Sequence, residues 1–421
     1  MKEYLRFLGR SLRIGIAGDW RYHLWMTLLA AVALAGLNAY AKQLVHGLAT
    51  TGMTDQVSWG LYIANFVFAE GIATALAIVV IVAYVYRRHE LQDLVIFAEI
   101  LAVAALLVCL AFVVVDLGRP DRFLHLLQES NFPNSLLAWD VIVLNGFLLL
   151  NLHLCGYPIY CAYRRRRPSR WFYVPFFFVV IVWAVSTQTV SAFLFVGLGS
   201  RPFWNTAILA PRFLAAAFAG GPAVLIPILW VLDRFAGHRV PRPAFATLRG
   251  IVAVAAIVHL FLLACEVFVA FYTGSAHGSS TRYLYLGLHG HDALVPWIRT
   301  AIVLSGLGLL GLLLPLAQRP LGRNLACLLL VAGLWIEKGM GFVVPAFVPS
   351  PLGEIVEYTP TVNEIVVCLG IWAAGALVYS IFVRVTIPVL SGRLTFDRPY
   401  DPNRPSALPA PAGSSGASRE G

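Results

Sequence analysis

The stretch 95-VIFAEILAVAALLVCLAFVVV-115 carries a single charge, Glu99, and it is one of several such runs in the chain. A helix rises 1.5 Å per residue, so about 20 apolar residues cross the ~30 Å hydrocarbon core of a bilayer. Runs of this kind leave one class open, an all-α polytopic membrane protein. Composition agrees: 59% of the 421 residues are hydrophobic and only 12% are charged, with a mean hydropathy of +0.77. Ten transmembrane helices are expected, at about 24–45, 59–86, 94–116, 138–163, 171–197, 204–232, 246–273, 293–317, 321–346 and 362–390.

An even number of spans puts both ends of the 24–390 domain on one side. The connections on that side, with the two flanks, carry 21 Lys and Arg, against 4 in the connections on the other. Positive charge is retained in the cytoplasm, so both termini are expected there, in a bacterial inner membrane. The net charge of +10 is therefore a topology signal and not a nucleic-acid footprint. Residues 1–23 form a basic interfacial segment, with Leu5, Leu8 and Leu12 on one face and Arg6, Arg10 and Arg13 on another. No cleavable leader is expected. Residues 391–421 read as a disordered tail, rich in Pro, Ser, Ala and Gly from about 400 on. The six cysteines lie in or beside apolar runs, with no CxxC, no CxxCH and no ferredoxin spacing. They read as packing residues, and no haem or iron–sulfur cluster is expected in this chain.

Ionisable groups are costly inside a bilayer and usually face a bundle interior or a cavity. Tyr62 and Asn65 share a face of the second span, with Glu70 deeper. Glu99 and Asp116 stand near the two ends of the third span. Asp140, Asn145, Asn151 and His153 follow in the fourth. A second set comprises His259 and Glu266 in the seventh span, with Arg212, Arg299, Glu337 and Lys338 in the sixth, eighth and ninth. Its charges are suited to pairing with one another, to a proton route or to an anion site.

The end of the third span is unusual. In 115-VDLGRPDRFLHLL-127, Asp116, Arg119, Asp121, Arg122 and His125 crowd around Gly118 and Pro120, which break the helix. Positive charge stands here on the disfavoured side. It suits local pairing, a lip for a polar headgroup or a surface for a partner chain. A quinone needs hydrogen-bonding groups at its carbonyls, an apolar slot for its tail and a group that exchanges protons. Tyr62, Asn65, Asp116, Asp140 and Asn145 offer these at one depth. Two facing histidines for haem are poorly matched by His153 and His259, and His277, His289 and His291 are too irregularly spaced for a metal site.

The strings 59-WGLYIANFVF-68, 115-VDLGRPDRF-123, 139-WDVIVLNGFLLLNL-152, 201-RPFWNTAILAPRFLAAAFAGGPAVL-225 and 334-LWIEKG-339 resemble the NrfD/PsrC family of membrane quinone-interacting subunits, over nearly all of residues 20–390. With 349-PSPLGEIVEYTPT-361, the ten-span form looks closest to the DsrP branch found in DsrMKJOP sulfur-metabolism complexes. The resemblance implies two four-helix bundles, here 59–197 and 204–346, with one flanking helix at each end. It implies no prosthetic group in the chain, and electron exchange between a quinone (menaquinone or ubiquinone) near the outer face and a periplasmic ferredoxin-like iron–sulfur subunit. Other redox subunits, cytochromes among them, would complete the complex, and some relatives are thought to move protons. By position the implied site maps to Tyr62, Asn65, Asp116, Arg119 and Asp140.

The expectation is thus a quinone-reactive redox subunit. Tyr62, Asn65 and Asn145 would hold the quinone, Asp116 or Asp140 would exchange protons, and Arg119 would order the mouth. Glu70, Glu99, His153, His259, Glu266 and Glu337 are proton-relay candidates. The alternatives are a secondary transporter, which also buries charge, and a passive anchor in which no intramembrane carboxylate matters for turnover. Against transport stands the lack of matched, broken midplane helices, although Pro211, Gly220, Gly221, Pro222 and Pro227 interrupt the pattern of the sixth span.

Overall fold

The computed structural model describes residues 2–123, 125–129, 131–274, 277–398 and 400–401, which are helical with no strand among them. Among the described residues ten helices are long and apolar enough to cross a membrane, as expected. In order they are Trp20–Thr50, Leu61–Val85, Val95–Asp116, Leu136–Tyr163, Arg170–Val196, Leu209–Phe235, Arg242–Tyr272, Val295–Leu313, Pro320–Phe347 and Val362–Leu390, named here the first to tenth spans. Most of the expected 391–421 tail lies outside the described residues.

The packing follows from where small residues fall. The second span is buried almost along its whole length, Glu70 included. It packs against the third, fifth and sixth spans. The third, fourth and fifth pack in succession; so do the sixth, seventh, eighth and ninth, with the ninth returning to the sixth. The tenth lies against both the first and the third. In lipid, close backbone approach replaces the hydrophobic effect as the packing force, and glycine and alanine permit it. A Cβ on Gly36 would stand 2.5 Å from the Gly370 Cα, so the first and tenth spans touch backbone to backbone. A Cβ on Gly221 would stand 2.3 Å from the Ala75 Cβ and 3.0 Å from the Ile72 oxygen, where the sixth span meets the second. Gly221→Val should therefore force these helices apart at a cost of about 1–3 kcal/mol. A thermal melt in detergent would read this as a lowered Tm, and an unchanged Tm would contradict the contact.

The prolines of the sixth span do not break it: Pro222 and Pro227 sit inside one continuous helix, and Pro211 in its first turn. The break comes instead in the ninth span, directly after Glu337 and Lys338, where Gly339 adopts φ −87° and ψ −101° before two short helical turns resume. Packing against neighbouring helices lets the proline-containing segment stay helical. At 339 a Cβ would meet the Trp335 oxygen at 2.5 Å, a position only glycine fills without strain.

Both ends of the span array meet on one face. The helix Lys2–Ile16 lies against the tenth span, and Arg10 donates to the Tyr163 hydroxyl and to the Thr395 and Phe396 oxygens. Arg164 pairs with Glu3 and lies over the Phe396 ring. Leu5, Leu8, Leu12 and Ile16 of this helix stay exposed. On this terminal face His238 is buried between the sixth and seventh spans, its ring 4.5 Å from that of Phe97. Burial pushes its pKa below the usual imidazole value, with Asp93 and Asp233 opposing. A folded-state value below the unfolded one means that the unfolded chain binds the proton more readily. Stability is then fully present above the ordinary imidazole pKa and falls as the pH drops through and below it. His238→Gln should flatten the Tm-versus-pH curve between about pH 7.5 and pH 5; an unaltered slope would exclude His238 as its source.

Candidate functional site

Three polar groupings occur in the half of the array away from the termini. The first spans the first, second, third and tenth helices. Tyr62, fully buried, donates to Gln43 Oε1 at 2.7 Å, and Gln43 Nε2 donates to the Val115 oxygen at 2.7 Å. Asp116 lies within electrostatic reach of Tyr62 and Glu364, and its Oδ1 is buried without a hydrogen-bond partner. Glu364 caps the tenth span with Thr361, accepts from the Gly52 amide at 2.7 Å and takes the Tyr358 hydroxyl at 2.6 Å. Tyr358 in turn accepts the first amide of the second span, that of Leu61. The loops on this face are thereby tied to the helix ends beneath them. Alongside runs a slot of about 350 Å³ between the first, third and tenth spans, lined by Leu34, Leu37, Leu107, Ala111 and Val378, with Tyr40 and Val115 toward Asp116.

The second grouping is a fastener. Asn65 donates to the Leu61 oxygen at 2.8 Å, and its Oδ1 accepts from Trp335 Nε1 at 3.0 Å and Trp372 Nε1 at 2.9 Å. These bonds tie the ninth and tenth spans to the second and fill both lone pairs of the amide oxygen.

The third is a buried chain of charge. Ser191 Oγ lies 2.7 Å from Glu70 Oε1 and 2.6 Å from Asp140 Oδ1. Gln188, one turn away, faces Glu70 and accepts from Lys338 Nζ at 3.0 Å. Lys338 fits because residue 71 is glycine: a Cβ there would stand 2.9 Å from Nζ. The neighbouring Glu337 points the other way, 3.6 Å from Arg212 and 3.1 Å from His259 Nε2. Arg212 also pairs with Glu266. Asp140, Glu70, Ser191, Gln188, Lys338, Glu337, Arg212 and His259 are all buried, and Glu266 is half-buried beside a cavity of about 20 Å³, room for a single water. Members of the two expected sets, Asp140 and Glu70 from one and Lys338, Glu337, Arg212, His259 and Glu266 from the other, thus form one chain.

The quinone residues expected at one depth do not converge. Tyr62 and Asp116 stand together beside the slot. Asn65 is occupied by its tryptophans. Asp140 faces Ser191 in the interior, and Asn145 is exposed on the flank of the fourth span, bonded only to its own helix through the Val141 oxygen at 2.8 Å. Arg119 is exposed and pairs with Asp121 at 2.9 Å, the local pairing open to that segment. This pair holds the Asp121 carboxyl below its usual range. Of the relay candidates, Glu70, His259, Glu266 and Glu337 join the chain. Glu99 is buried on the terminal side, with Oε2 unpartnered, close to Tyr84, Tyr173 and Cys155. His153 is apart from all of these, packed against Tyr157, Phe172 and Phe176 with Nε2 3.1 Å from the Phe172 oxygen. Arg299 is exposed and outside the chain. Sequence reasoning missed Gln43, Gln188 and Ser191; an amide or hydroxyl within an otherwise apolar span was the available signal. Among the described residues no three His, Cys, Asp or Glu side chains form a metal-holding group.

Ten spans around a buried ionisable chain define a multi-pass membrane protein built to hold charge within the bilayer. The chain belongs to the NrfD polysulphide reductase family, whose model matches residues 49–344. It is 26% identical, over 58% of its length, to a protein of Halobacterium salinarum described as a membrane subunit of a dimethyl sulfoxide reductase, and spans 59% of that relative's length. It is 22% identical to a selenate reductase subunit of Mesobacillus selenatarsenatis over 87% of this chain and 94% of that one. It is also 22% identical to the Hdr-like menaquinol oxidoreductase integral membrane subunit of Archaeoglobus fulgidus, over 86% and 92% respectively.

Proposed function

We propose that this chain is the quinone-reactive membrane subunit of a multi-subunit oxidoreductase. It would exchange electrons between the membrane quinone pool, menaquinone or ubiquinone, and a periplasmic iron–sulfur subunit, in an inner membrane with both termini cytoplasmic. The observation that carries this reading is the apolar slot between the first, third and tenth spans, whose lining reaches Val115, the residue next to Asp116, a carboxyl group with one buried oxygen lacking a hydrogen-bond partner. A prenyl chain needs such a slot, and the headgroup needs polar partners at its end. Gln43 keeps one amide N–H unused and Tyr62 is held rigid by it, so the pair can orient a carbonyl. Asp116 is placed to give or take a proton when the quinone gains or loses two electrons and two protons. Arg119 and Asp121 lie beyond it and face a partner. The family's reductase and oxidoreductase relatives support the complex, and the DsrP-like strings support a place in sulfur metabolism. The buried chain from Asp140 to Glu266 would hold and move protons within that same half of the array.

The test is to fill the slot. Ala111→Trp places an indole among its lining residues, one helical turn before Val115. Quinone-dependent electron flow through the assembled complex is expected to fall about 10-fold or more, while the amount of complex and its electron transfer to a soluble acceptor stay unchanged. Undiminished quinone-dependent flow would remove the slot from the function.

A further inference from the structure

The chain from Asp140 to Glu266 holds seven ionisable groups, and hydrogen-bond stoichiometry with charge balance limits how protons are distributed among them. Ser191 has one hydroxyl proton and lies within 2.7 Å of both Glu70 and Asp140. It can donate to only one of them, so the other contact requires a carboxylic O–H donating to Oγ. At least one proton therefore resides in this carboxyl pair. With one proton there, the pair carries one negative charge. Glu337 and Glu266 bring the negative charges to three, against Lys338 and Arg212. One positive charge is missing, and an unbalanced charge in this interior is heavily penalised. With Glu266 and Glu337 kept ionised by the arginine they share, two arrangements restore neutrality. Either His259 is protonated, or the pair holds two protons and His259 is neutral.

We infer that Glu70 with Asp140 and His259 are two seats for one mobile proton, linked across the packed spans by Lys338 and Glu337. The geometry fits exchange between them. Glu337 and Lys338 are consecutive, yet Glu337 faces His259 and Arg212 while Lys338 reaches into the notch at Gly71 toward Gln188 and Glu70. Glu70 Oε2, Gln188 Nε2 and His259 Nδ1 are buried without hydrogen-bond partners. They lie along the path and at its ends, as groups do whose partner depends on where the proton is. The net step moves one proton from a carboxylic oxygen of the pair to an imidazole nitrogen. The pair gains a negative charge and His259 a positive one, while Lys338 and Glu337 end as they began. Other polar neighbours are Cys109 beside the carboxyl pair and Tyr285 beside Glu337, both neutral near pH 7.

The test uses no quinone, so it can fail independently of the electron-transfer reading. Infrared difference spectra of the purified full-length chain, near neutral pH, report protonated carboxyl carbonyls. In His259→Gln only one seat remains, and both Glu70 and Asp140 must be protonated. Two acid-carbonyl bands are expected, one lost on adding Glu70→Gln and the other on adding Asp140→Asn. An ionised carboxylate persisting in the pair would overturn the inference. Should that variant not fold, the Glu70→Gln, Asp140→Asn double variant gives the reverse test. Its cluster is neutral only with neutral His259, so the nitrogen-15 spectrum should show no imidazolium there; an imidazolium signal would equally overturn it.

Discussion

Arg212→Met is expected to lower the stability of the chain by about 3–5 kcal/mol, the range for removing one partner of a buried ion pair. Arg212 sits at the centre of the second half of the charge chain, paired with Glu266 and 3.6 Å from Glu337, with a side chain only 6% exposed. Methionine matches the aliphatic stem and packs against Phe342, over which the guanidinium lies. The loss is then one of charge and not of volume. Two carboxylates would remain facing each other without their shared cation, and only His259 could offset one of them. Adding Glu266→Gln and Glu337→Gln removes the orphaned charges, and the triple variant should recover most of the lost stability. Denaturant titration in mixed micelles measures both steps. If the triple variant were no more stable than Arg212→Met, the destabilisation would come from packing.

The spans were legible because their signal is crude and redundant: twenty apolar residues have few other uses. The groupings were harder to read. A residue's depth follows from its distance along a helix. Its azimuth does not follow when a helix is apolar all round. The second span shows this, buried on every side with no polar face to orient it. Hence Asn65 and Asn145 looked equivalent, yet one is enclosed by two tryptophans and the other is exposed on the flank of its helix. Helix breaks failed for a related reason. Five prolines and glycines in the sixth span suggested interruption, but it is one continuous helix, while one glycine after Glu337 and Lys338 ends the ninth helix.

Asp116→Asn is expected to lower quinone-dependent turnover of the assembled complex by about 100-fold, the lower end of what a positioned proton-exchanging group contributes. The substitution is nearly isosteric, and Asp116 Oδ1 has no hydrogen-bond partner whose loss would unsettle the third span. The amount of complex and its Tm should therefore stay close to wild type. Asn65→Ala is the contrasting variant. Its side chain makes bonds to Trp335 and Trp372 that tie three helices together, so its effect should appear as reduced stability and assembly, with turnover per assembled complex much less affected. The two variants separate the carboxyl beside the slot from the polar residue three positions after Tyr62. Equal losses of turnover per complex in both would mean that the site depends on the shape of this whole region. Loss in Asn65→Ala alone would move the headgroup from Asp116 toward the tryptophans. Loss in Asp116→Asn alone, at unchanged stability, would make the free carboxyl oxygen the point where the quinone's proton enters or leaves the protein.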